Sequence, residues 1–273
     1  TLDESLLSLG FRRLHSDPCM YVKRNPKDPS KMIVLLVYVD DVIVASNWPQ
    51  AHDDLVRKLA KEFNIKDLGK LRWFLGMLIV QDLKKGTIRI SQQQYFEQTL
   101  RRFGFRGASP QSTPADPTVS LTNLPSEYKH SPNEEQEIAE FPYREVIGSL
   151  MYAACVTRPD LSATVGFLAR AMSSPRIEHV RAAKRCLRYL KGTLNHGITY
   201  RKASSTQPLY GFVDSSWGGD EERKSTSGFV FILSDGPIAW GSKKQRSVAI
   251  SSCEAEYYAA SLAAQDALWL RTL

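Results

Sequence analysis

Two acidic residues stand side by side in the most apolar run of the chain. Ile33 to Ala45 reads IVLLVYVDDVIVA, and Asp40 and Asp41 are its charged residues. β-Branched residues flank them on both sides, so the run predicts two short strands joined at the Asp-Asp pair. Asp tolerates tight turns, which places both carboxylates at the tip of a hairpin. Carboxylates beside apolar strands are costly unless a cation offsets them, and in a working site that cation is most often a divalent metal. The alternative is a solvated turn.

A second group of acids lies near the other end. Leu209 to Val213 predicts a strand running into Asp214, and Ser251 opens a long helical stretch that carries Glu254 and Glu256. Clustered carboxylates can hold two metal ions roughly 3.5–4 Å apart, which activate a water and stabilise the leaving oxygen of a phosphodiester. Asp214 is the natural first ligand, and either glutamate could join it. Ser251 and Glu254 form a capping-box pattern, so Glu254 also has a structural role that explains it. Asp220 and Asp266 read as surface acids. Asp266 lies about three helical turns beyond Glu256, too far to share its metal.

Basic residues supply a third pattern. Arg176 to Lys191 predicts a helix with Ile177, Val180, Leu187 and Leu190 inward, and with Arg181, Lys184, Arg185, Arg188 and Lys191 on another face. Such a stripe is an electrostatic footprint for nucleic acid, or a solvated face. Arg101, Arg102 and Arg106 end an earlier helix and could meet phosphates or complement the helix dipole. Lys243 and Lys244 could contact phosphate or be solvated.

These groups need a scaffold, and 273 residues with 42% hydrophobic and 24% charged content supply a substantial core, with length for two domains. Net charge is +7, which favours a polyanionic partner. The cysteines Cys19, Cys155, Cys186 and Cys253 are scattered and read as reduced thiols rather than disulfides or zinc ligands. No signal peptide or membrane span is expected. Leu2, Leu6, Leu7 and Leu9 form an amphipathic start, and Met20 to Val22 a strand. Gln50 to Phe63 is expected as a helix. Lys70 to Val80 is expected as one strand with Gly76 as a bulge, followed by a hairpin at Gly86. Ser91 is expected to N-cap a helix to Phe103. Ala108 to Glu140, rich in proline, serine and threonine, reads as an extended or partly mobile linker. Tyr143 to Ala154 and Arg158 to Met172 predict two facing helices rich in small residues. Ser225 to Leu233 and Ile238 to Trp240 add strands around a turn at Asp235-Gly236. The sequence lacks an initiator Met and ends within a helical pattern, which reads as a piece of a longer chain.

Tyr38-Val39-Asp40-Asp41 resembles the YVDD box of reverse transcriptases, in the form seen in copia-type retrotransposons. The Asp17-Pro18-Cys19 segment before it, Phe74-Leu75-Gly76 after it, ISQQQYFEQTLRRFGF, and GSLMYAACVTRPDLS with RAAKRCLRYLKGT are similar to the same family. So is the succession GFVDSSWGGD, RKSTSGFVF, AWGSKKQ and SSCEAEYYAAS, which looks like its ribonuclease H. The resemblance implies an α+β fold: a partial polymerase palm with a helical thumb or connection, followed by a partial ribonuclease H-like domain. The implied segments are 1–107 (late palm and start of thumb), 108–140 (linker), 141–203 (thumb or connection) and 204–273 (first half of ribonuclease H).

The same resemblance implies Mg2+ or Mn2+ at Asp40 and Asp41 for nucleotidyl transfer. It implies a second metal site at Asp214 and Glu256 for hydrolysis, with Glu254 in reserve. RNA template, DNA primer, RNA–DNA hybrid, deoxynucleoside triphosphates and the rest of the Pol polyprotein are the implied partners, without a membrane. The implied setting is the cytoplasmic particle of the element, or the nucleus, in a polyprotein that also serves DNA integration. The family has another metal-binding Asp on an earlier palm strand and a further Asp after the last helix here, so both carboxylate sets are expected to be partial. The alternative expectation is a degenerate relic that binds nucleic acid non-specifically.

Overall fold

In the computed structural model, residues 1–116, 129–202, 208–219 and 222–273 are described. Asp220 and the middle of the expected linker fall outside them. The chain gathers into two compact units, Thr1–Leu71 with Ala267–Leu273, and Arg72–Asp266.

The first unit opens with α1 (Leu2–Ser8), started by a capping box in which the Thr1 hydroxyl accepts from the Glu4 amide and the Glu4 carboxylate accepts from the Thr1 amine. Strands β1 (Arg12–Arg13), β2 (Met20–Arg24), β3 (Met32–Tyr38) and β4 (Asp41–Ser46) form an antiparallel sheet in sequential order. Alternation along β3 sends Ile33 and Leu35 into a core with Leu6, Phe11, Tyr21, Leu55 and Leu59. The last two come from α2 (Pro49–Leu59). Its first residue is Pro49, where a missing amide costs nothing. It stops at Leu59, short of the expected Phe63.

The second unit begins with β5 (Trp73–Phe74), β6 (Met77–Asp82) and β7 (Thr87–Ser91). The single strand expected over 70–80 is two strands. Leu75 (φ 47°) and Gly76 (φ 73°) form a two-residue hairpin turn between them, so Gly76 is a turn residue rather than a bulge. The sheet is completed by β8 (Gly197–Arg201), which pairs with β7 from more than a hundred residues away. Ser91 belongs to β7, and Gln92 occupies the N-cap of α3 (Gln93–Arg102) without a side-chain cap bond.

Helices α4 (Pro132–Glu140), α5 (Tyr143–Val156), α6 (Ser162–Ala169) and α7 (Ile177–Gly192) follow. A core of Phe96, Leu100, Val146, Ile147, Leu150, Leu168, Val180, Leu187 and other residues binds α3, α5, α6 and α7 together. The expected inward residues of α7 are buried as predicted. Of the expected linker, the described stretch near its end departs from the expectation of an extended path. Residues 108–116 lie along α7, and 132–140 is a helix started by Pro132 and a Ser131–Glu134 capping box.

The remainder is a second antiparallel sheet, ordered β11-β10-β9, with β9 (Tyr210–Ser216), β10 (Thr226–Leu233) and β11 (Gly236–Lys244), followed by α8 (Ser252–Leu270). The β10–β11 turn is Ser234-Asp235, one residue earlier than expected. Both residues have positive φ (53° and 63°), as a tight hairpin of this kind demands. α8 buries Ala255, Ala259 and Ala263, a four-residue repeat that lets the helix approach its neighbours closely. Gln245 locks this face by donating to the Ser227 hydroxyl and the Ala255 carbonyl, both at 2.9 Å. Among the described residues, no helix is long and apolar enough to cross a membrane.

Candidate functional site

The first acidic pair sits on the β3–β4 hairpin. Tyr38 pairs with Asp41, which makes Val39-Asp40 the two turn residues; Asp41 is the first residue of β4. The turn is therefore one residue earlier than the expected Asp-Asp tip. Val39 has φ 53°, an unusual conformation for a β-branched residue, and strain of this kind is concentrated at functional sites. The next strand pairs, Val37 with Val42 and Leu36 with Ile43, anchor the tip to apolar strands. Asp40 and Asp41 are exposed, and neither carboxylate has a hydrogen-bond or ion-pair partner among the described residues. Adjacent oxygen donors left open to solvent fit a hard divalent cation such as Mg2+ or Mn2+.

The second set is built by β9 and α8. Asp214 lies within β9, opposite Gly228 of β10, rather than at the strand's end. The Ser215 amide donates to Glu256 Oε1 at 3.2 Å, so the helix glutamate is held against the residue next to Asp214. Trp217, just past β9, donates its indole N–H to the Ala249 carbonyl at 3.0 Å and ties the strand to the approach of α8. Glu254 is engaged differently. Its carboxylate accepts from the Ile250 amide at 2.7 Å, and its amide donates to Ser251 Oγ at 3.1 Å. The structural role suggested by the Ser251–Glu254 spacing is present. Asp266 lies far along α8 from Glu256, as its numbering implies. Among the described residues, no three His, Cys, Asp or Glu side chains gather into a metal-binding group.

The basic stripe of α7 is bonded to the chain's own acids and carbonyls. Arg181 pairs with Glu134 (3.3 Å), Lys184 with Glu137 (2.7 Å) and Arg185 with Asp116 (3.1 Å). Arg188 donates to the Ser109 carbonyl at 2.7 Å and Lys191 to that of Ala108 at 2.8 Å. Arg102 pairs with Glu145. Lys244 and Lys224 both reach Glu222, and their hydrogen bonds and charge hold its carboxyl below the ordinary value. Lys243 has no such partner among the described residues.

One cluster had no reading in the sequence. Arg158 is buried, donating to Asp160 Oδ1 at 2.9 Å and Oδ2 at 2.7 Å and to Thr193 Oγ1 at 2.7 Å. Its guanidinium also faces the rings of Phe96 and Tyr189. Tyr189 donates to Asp160 at 2.7 Å. Burial pushes the Asp160 carboxyl up, but the bonds from Arg158 and Tyr189 and the Arg158 charge outweigh it, and the net shift is downward. Arg158-Pro159-Asp160 read only as a helix start. The two charges pair with each other, and the hydroxyls that complete the cluster, of Tyr189 and Thr193, lie some thirty residues on.

An apolar hairpin with an exposed acid pair on a helix-covered antiparallel sheet is compatible with the polymerase class. The family model described as reverse transcriptase (RNA-dependent DNA polymerase) matches residues 1–117. Over 273 aligned residues, covering 98% of the chain, it is 37% identical to the retrovirus-related Pol polyprotein from transposon TNT 1-94 of Nicotiana tabacum. It is 36% identical, also over 98% of its length, to the corresponding polyprotein from transposon RE1 of Arabidopsis thaliana. A protein assigned to transposon Ty5-1 in Saccharomyces cerevisiae is 32% identical, the match covering 95% of this chain and 81% of that protein. The chain belongs to the Pol polyprotein family of copia-type retrotransposons. It spans about a fifth of the length of the two Pol polyproteins. No solved structure is significantly similar to it.

Proposed function

We propose that this chain contributes to RNA-directed DNA synthesis, and to cleavage of RNA in RNA–DNA hybrids, within a Pol polyprotein. The carrying observation is the β3–β4 hairpin: two exposed carboxylates without partners among the described residues, next to a strained Val39, in the part matched by the reverse transcriptase family. In this reading residues 1–107 are late palm and start of thumb, 141–203 thumb or connection, and 204–273 part of a ribonuclease H-like domain.

Asp40 and Asp41 would hold Mg2+ or Mn2+, as would Asp214 and Glu256, with Glu254 in reserve. Bound metal would supply charge neutralisation at the attacking and leaving oxygens of a phosphoryl transfer. The hairpin's role is to present both carboxylates to solvent at the end of the sheet. The Ser215 amide's role is to fix Glu256 beside Asp214. RNA template, DNA primer, hybrid and deoxynucleoside triphosphates are the corresponding partners.

In a Pol protein carrying this sequence, Asp40→Asn with Asp41→Asn is expected to abolish primer extension and leave hybrid cleavage in place. Asp214→Asn with Glu256→Gln is expected to do the reverse. Primer extension that survives the first pair of changes would overturn the polymerase assignment.

A second reading, a catalytically inactive relic that binds nucleic acid non-specifically, draws on the same geometry. Asp214 and Glu256 have no third carboxylate beside them among the described residues, and a two-metal site needs bridging ligands to position anything. Magnesium-dependent hybrid cleavage by this chain above an Asp214→Asn control would exclude it.

A further inference from the structure

The five cations of α7 span eleven residues, or about 15 Å of helix from first to last, a length that faces about four phosphates of one nucleic-acid strand. In the structure that face is occupied by two pieces of the chain itself. Residues 108–116 run along one side. The carbonyls of Ala108 and Ser109 accept from Lys191 and Arg188, the Gln111 amide donates to the Arg188 carbonyl at 3.2 Å, and Thr113 Oγ1 and Asp116 accept from Arg185. α4 covers the rest. Its Glu134 and Glu137 take Arg181 and Lys184, and the Lys184 ammonium also lies over the Phe141 ring. Oxygen atoms thus lie along the stripe where backbone phosphates would lie.

The acids of α4 divide by face. Glu134 and Glu137, three residues apart, point to α7, whereas Glu135 is exposed and Glu140 bonds to Gln136 of its own helix. Three of the five cations therefore meet a carboxylate, and the other two meet carbonyls. The pairs made by α4 are open to solvent on the cation side: Arg181 is 59% exposed and Lys184 32%, against 22% for Arg185. Pairs of that exposure are weak and screened by salt. A polyanion that releases counterions on binding is a strong competitor for such cations.

We propose that the α7 stripe is a surface for the phosphate backbone of nucleic acid, and that α4 with residues 108–116 is an internal acidic strap that closes it until nucleic acid displaces the strap. The proposal rests on the nucleic-acid function set out above. It makes the strap a brake on binding, so weakening it strengthens binding.

The test uses the whole chain and a labelled RNA–DNA hybrid, titrated across a range of salt concentrations. Glu134→Gln with Glu137→Gln keeps the Ser131 capping box, since glutamine serves at that position. It is expected to tighten binding by roughly 10-fold at low salt and to steepen the log–log salt slope by up to about 2, the value for two newly available cations. Glu135→Gln with Glu140→Gln removes the same charge from the same helix and is expected to change binding little. Adding Arg181→Gln and Lys184→Gln to the first pair is expected to erase its gain. An equal gain in the Glu135/Glu140 variant, no gain in the Glu134/Glu137 variant, or a gain that survives loss of Arg181 and Lys184 would overturn the strap. Absence of hybrid binding by every protein tested would overturn both the strap and the nucleic-acid reading beneath it.

Discussion

Arg158 shows how a single buried charge draws on partners both near and distant in sequence. Its side chain is 1% exposed, so its charge is tolerable only while Asp160 and Thr193 satisfy it. Asp160→Asn removes the counter-charge and leaves the guanidinium buried. The expected cost is roughly 3 kcal/mol, at the lower end of the range for breaking a buried pair because Asp160 is itself about a third exposed. Urea denaturation measures it. The carboxyl is depressed in the folded state, so its contribution is present above the unfolded value of about 3.9 and is lost as pH falls through the lower folded value. The stability gap between parent and Asp160→Asn is therefore expected to be full at neutral pH and to narrow in strong acid. A gap unchanged at low pH would mean that the Asp160 charge is not what holds Arg158.

At the scale of elements, turns were the least legible and helix faces the most. The expected inward face of α7 is the observed one, because a helix repeats every 3.6 residues and apolar spacing reports its buried side directly. Three turns differed by a residue or in kind: Val39-Asp40, Leu75-Gly76 and Ser234-Asp235. At each, a non-glycine residue takes positive φ because strand register on both sides demands a two-residue connection. Composition does not announce that. Strand β8 was missed because its partner β7 is remote in sequence. The same pairing explains Gly197. A Cβ there would run into the Ile90 carbonyl and come within 2.9 Å of the Ser91 Cβ. Gly197→Ala is expected to cost about 2–3 kcal/mol by forcing β8 off β7. Faster hydrogen exchange at the Ile90 and Ile198 amides would report the separation. Unchanged exchange would show that the sheet adjusts without parting.

At the scale of the molecule, each compact unit has its own buried cluster, one around Ile33 and Leu35 and one around Leu150 and Leu187. Units with separate cores need not unfold as one. Leu35→Ala and Leu187→Ala each empty a fully buried site and are each expected to cost about 2–5 kcal/mol. In calorimetry each should lower a different transition. A single transition lowered by both would mean that the two cores melt cooperatively.

The sequence by itself determined the family, the two acidic motifs, the periodic faces of the helices and the order of most strands. All of these follow from residue types at short spacings, where local geometry is set by the chain's own repeat. Tertiary structure decided the rest. It placed the Ser215 amide against Glu256, joined Arg158 and Asp160 to Thr193 and Tyr189, and set the acids of α4 against the α7 cations. Each of these joins residues far apart in the chain. A charge shows its type in the sequence, but the partner that neutralises it is chosen by the fold.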